Sequence, residues 1–65
     1  MKTSYDIFAK PFGGDCGSEF LALANYSGDL EKVFAMAKNK GCEITRIYNL
    51  GEPVSMPNFA KCVNV

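Results

Sequence analysis

The stretch 27–48 constrains the fold most. Ser27-Gly28-Asp29 opens a helix, Gly41 closes it, and Cys42–Tyr48 reads as a strand. Leu30, Val33, Phe34 and Ala37 recur at i, i+3, i+4 and i+7, one apolar stripe with Met36 at its margin. Ser27 or Asp29 can accept the free N–H groups of the first turn, and Asp29 and Glu31 suit its positive end. Lys38 and Lys40 suit the negative end, and Gly41 can take the left-handed conformation that stops the helix. Residues 29–40 then make about 18 Å of helix, enough to cross a small sheet.

The flanking segments read as strands. Over Thr3–Lys10, Tyr5, Ile7 and Ala9 alternate with Asp6, Phe8 and Lys10. Pro11 ends that strand, and residues 12–18, with three glycines, form a loop. Phe20–Ala24 suits a buried strand or a short helix. The eight residues Glu19–Tyr26 and their glycine-rich approach favour a strand hairpinned to the first. Cys42–Tyr48 carries Ile44, Thr45, Ile47 and Tyr48, residues 49–53 are a turn, and Phe59–Val65 is a last strand. The order β-β-α-β-β gives a two-layer α+β fold, an antiparallel sheet with one helix packed on one face. Residues 1–65 make one small domain without repeats or linkers.

Composition removes several function classes. Apolar residues are 48% of the 65 and charged residues 22%, the balance of an ordered chain. The formal net charge is zero, so no global basic field gathers nucleic acid or an anionic membrane. No apolar run approaches the length of a bilayer span, and Thr3-Ser4-Tyr5-Asp6 lacks the apolar core of a signal peptide. Cys16, Cys42 and Cys62 are odd in number and fit no zinc spacing. A cytoplasmic protein with reduced thiols and neither metal nor cofactor is the expectation.

Catalytic candidates are few. Cys16, in a glycine-rich loop, is the one plausible nucleophile. Its neighbour Asp15 disfavours the thiolate, and the chain has no histidine to act as base. The same loop lacks the lysine and spacing of a phosphate cradle. A plain hairpin connection explains it better, and no enzyme activity is expected.

Charge and aromatics offer binding candidates. Residues 11–31 hold Asp15, Glu19, Asp29 and Glu31 and no lysine or arginine. Such an acidic edge can dock on a basic groove in place of phosphates. Solubility and helix-dipole matching account for part of the same pattern. On the sheet face away from the helix, Phe8, Tyr48 and Tyr26 can form an apolar patch, although core packing is the default for a single phenylalanine. A nucleic-acid platform on that face, using Lys32, Lys38, Lys40 and Arg46, lacks the basic residues interleaved among aromatics that such platforms carry.

The 65-residue length and the succession Thr3–Lys10, Glu19–Tyr26, Asp29–Lys40, Cys42–Tyr48, Phe59–Val65 resemble the small phage-encoded anti-CRISPR proteins that inhibit type I systems, those of the type I-C group included. The resemblance covers nearly the whole chain and carries no shared motif, so no residue role transfers with it. It implies a non-enzymatic inhibitor in the host cytoplasm that binds a Cas subunit or surveillance complex and obstructs nucleic-acid binding. Asp15, Glu19, Asp29 and Glu31 are the expected contact. The alternative is a small regulatory or structural module that dimerises through its sheet.

Overall fold

The computed structural model describes residues 3–55 and Phe59. Strand β1 (Tyr5–Pro11) leads through a short 3-10 turn (Cys16–Ser18) to β2 (Phe20–Tyr26). Helix α1 (Leu30–Asn39), β3 (Cys42–Asn49) and a two-residue strand β4 (Glu52–Pro53) follow. The sheet is antiparallel with order β2-β1-β3-β4, so the α+β architecture with one helix on a sheet is as expected. The fourth described strand comes from Glu52–Pro53, read from sequence as part of a turn. The expected strand Phe59–Val65 lies outside the described residues except for Phe59, whose ring stacks on Phe34 at 6.0 Å.

The helix forms where its caps put it. The Asp29 carboxylate accepts the Glu31 N–H at 3.0 Å, and Gly41 takes φ +72° after the last turn. That left-handed geometry is easy only for glycine. The Gly41 carbonyl then accepts the Phe12 N–H at 2.8 Å, tying the helix end to the loop after β1.

The core is small and central. Ile7 and Ala9 of β1, Val33 of α1, and Ile44 and Ile47 of β3 are its buried members. Phe34, placed at the middle of the apolar stripe, is only half-buried, and Val33 takes the fully buried place. The alternation along β1 explains which face meets the helix: Ile7 and Ala9 point to it and Phe8 points away. A connection of two residues, Leu50-Gly51, joins β3 to β4 with φ +52° and +84°. Both positive angles mark the turn whose twist suits a tight hairpin.

Edge strand β2 departs most from expectation. It is a strand, but an exposed one: only Leu23 and Tyr26 are even half-buried. Its pairing to β1 shifts twice, between Tyr5 and Ile7 and between Ile7 and Phe8. Ala22 is one extra residue, and Ala24 and Asn25 together oppose Asp6. Asn25 sits at φ +55°, its N–H donated to the Asp6 carboxylate at 3.3 Å. Such bulges bend an edge and hinder the regular addition of a further strand.

Among the described residues, no helix is long and apolar enough to cross a membrane. Cys16 is disulfide-bonded and Cys42 is a free thiol, so the expectation of uniformly reduced cysteines does not hold. As a disulfide sulfur, Cys16 is no thiolate nucleophile.

Candidate functional site

The four carboxylates singled out from the sequence do not form one surface. Asp15 and Glu19 lie just before β2, while Asp29 and Glu31 lie beyond its other end. Seven extended residues separate the two groups by roughly 20 Å. Three of the four have work inside the fold. Asp15 accepts from the Ser18 hydroxyl at 3.3 Å, and Asp29 caps the helix. Glu19 is bound twice by Arg46, Nη2 to Oε1 at 2.7 Å and Nε to Oε2 at 3.1 Å, and once by the Thr45 hydroxyl. That Thr45 hydrogen bond, ahead of Arg46, holds the Glu19 carboxyl below its ordinary value. Glu31 is exposed in the first helical turn.

The open sheet face is roofed by the same arginine. Arg46 lies 4.6 Å above the centre of the Phe8 ring and 5.7 Å from that of Tyr48, and Phe8 meets Tyr48 edge-on at 6.0 Å. An Nη1–H donates to the Tyr48 hydroxyl at 3.2 Å. Cation–π contact and a forked carboxylate pair thus spend the guanidinium on this chain's own groups. Tyr26 does not join that patch. It packs against the core cluster and donates its hydroxyl to the Asp29 carbonyl at 3.0 Å. On the same face Lys10, 6% exposed, pairs with Glu43 at 2.6 Å and donates to the Gly14 carbonyl at 2.8 Å. Arg46 is therefore on the opposite face from the helix lysines, and the four basic residues considered for nucleic acid do not converge.

On the helix side the arrangement differs. Helix α1 packs on β3 and leaves a groove of about 150 Å³ beside β2, walled by Ala22, Leu23, Val33, Ala37 and Ile44. Phe20 and Met36 stand at its lips, 44% and 43% exposed, and Lys40 is the one charged residue among the described ones lining it. Leu21, pointing to the other face beside Phe8, is 50% exposed. Large apolar side chains so placed leave both faces of an uncharged edge strand open to apolar contact. Part of this was legible: Met36 lies at the margin of the helical stripe, and Lys40 follows it at i+4, on the same side. The outward turn of Phe20 and the bulge at Ala22 left no mark in the residue pattern.

Chemically, the described lining offers apolar contact, one cation and the free thiol of Cys42. Among the described residues no group of three or more His, Cys, Asp or Glu could hold a metal ion. No protein-family model, curated protein or solved structure matches the chain.

Proposed function

We propose that this chain is a non-enzymatic inhibitor that acts by occupying a surface of a larger protein assembly through β2 and the groove beside it. The carrying observation is the exposure of Phe20, Leu21 and Met36 at an edge that bears no charged residue along its length. Such apolar exposure costs solubility, and burial against a partner recovers it. The ionisable side chains nearest the sheet are engaged in structural pairs, Lys10 with Glu43 and Arg46 with Glu19, which is the pattern of a scaffold.

The length and element order shared with small anti-CRISPR proteins make a subunit of a type I surveillance complex the partner to test. Obstruction then comes from apolar docking beside the nucleic-acid path, and a continuous acidic imitation of DNA is not needed. The alternative, a module that dimerises through its sheet, is opposed at the β2 edge by the two bulges there, which spoil regular self-pairing.

The test is an interference assay. In cells that carry a type I-C system and a matching spacer, expression of the chain restores plating of the targeted phage. Plating as low as without the chain overturns the assignment to that partner class.

A further inference from the structure

We infer that the groove between α1 and β2 receives an acidic segment of the partner protein that carries one bulky apolar side chain. This rests on the reading of the chain as a surface-binding protein and supplies the chemistry of the contact.

Size sets the first half of the argument. An apolar cavity of about 150 Å³ accepts a benzene ring, so this groove takes one aromatic or branched aliphatic side chain. Its wall is Ala22, Leu23, Val33, Ala37 and Ile44, and its lips are Phe20 and Met36. A thioether at the lip adapts to the shape of what enters.

Charge complementarity sets the second half. Among the described residues Lys40 is the only charged one of the lining, and its ammonium has no ion-pair partner there. Lys38 adds a second cation in the last turn of α1, two residues before the C-cap Lys40, and the two exceed the half negative charge of the helix end. Three of the chain's carboxylates are held or placed away from them. Glu19 and Glu43 are held by Arg46 and Lys10 on the far face of the sheet. Glu31 lies nine residues up the helix from Lys40, about 14 Å away. Lys40 therefore puts at the groove a cation with no ion-pair partner among the described residues, and a segment with acidic residues flanking its apolar anchor complements it.

The experiment is an amide chemical-shift titration of the labelled chain with three capped peptides, Glu-Phe-Glu, Lys-Phe-Lys and Glu-Ala-Glu. Saturable shifts with Glu-Phe-Glu, centred on Ala22, Ala37 and Lys40, are expected. The Lys-Phe-Lys peptide should bind at least several-fold more weakly and Glu-Ala-Glu should leave the groove unshifted. Lys40→Glu should invert the preference between the two phenylalanine peptides. Equal or tighter binding of Lys-Phe-Lys by the natural chain overturns the charge assignment. No groove shifts with any peptide overturns the site, and concentration-dependent groove shifts without peptide assign it to a second copy instead. The surface-binding reading is judged separately, by the interference assay with the lips altered, whatever the charge of the partner.

Discussion

Glu19 and Arg46 are joined across the width of β1: the Arg46 guanidinium reaches over the Phe8 ring to hold both oxygens of the Glu19 carboxylate, at 2.7 Å and 3.1 Å. The pair straps the first residue before the edge strand to β3, two strands away in the sheet order. It fixes one end of β2 and removes Glu19 from any outward-facing acidic surface. Arg46 is about half exposed, so the strap positions the edge more than it stabilises the fold.

The strap has a pH signature. Glu19 is held below its ordinary carboxylate value, first by the Thr45 hydroxyl and then by Arg46. A depressed folded-state value contributes stability that is complete above the unfolded value and is lost as pH falls through the folded one. Denaturant midpoints measured at about pH 6 and about pH 3 should therefore drop more for the natural chain than for Glu19→Gln. Equal drops would mean that the carboxylate is not held in this way.

Gly28 is small for a steric reason. A Cβ there would lie 2.4 Å from the Tyr26 hydroxyl oxygen and 2.6 Å from the ring carbon bearing it. Gly28→Ala should push the ring off its seat, break its hydrogen bond to the Asp29 carbonyl, and cost about 1–3 kcal/mol. In a Tyr26→Ala background the same change should cost much less, since the two residues are in contact. Urea unfolding of the four proteins measures the coupling, and simple additivity would contradict it.

Leu50 occupies a left-handed position, φ +52°, with its side chain 69% exposed. Asparagine tolerates that conformation better and Asn-Gly is the favoured pair for this hairpin. Leu50→Asn should raise stability by about 0.5–1 kcal/mol, read as a higher thermal midpoint. A lower midpoint would mean that the leucine side chain makes a contact that outweighs its backbone strain.

The helix, its caps and the face of β1 that meets it were legible because each rests on local rules. Asp29 and Gly41 sit where capping chemistry needs them, and Ile7 and Ala9 fall on one side by strand alternation. Phe20–Ala24 misled because an apolar run suggests burial, whereas chain order and two bulges left it at an edge. The acidic stretch looked continuous because sequence proximity hides the roughly 20 Å length of β2 between its halves. The partnership of Glu19 with Arg46 depends on pairing across β1, a non-local fact with no periodic trace. The disulfide state of Cys16 was equally invisible in an odd count of cysteines.

The central claim is that the groove-side edge makes the inhibitory contact, and a double substitution at its lips tests it most directly. Phe20→Thr with Met36→Gln keeps a good strand former and a good helix former while removing the apolar lips. The variant should unfold cooperatively within several degrees of the natural chain and lose protection in the type I-C interference assay by at least about tenfold, the loss expected when central apolar anchors are removed. A folded variant that protects as well as the natural chain would contradict the account.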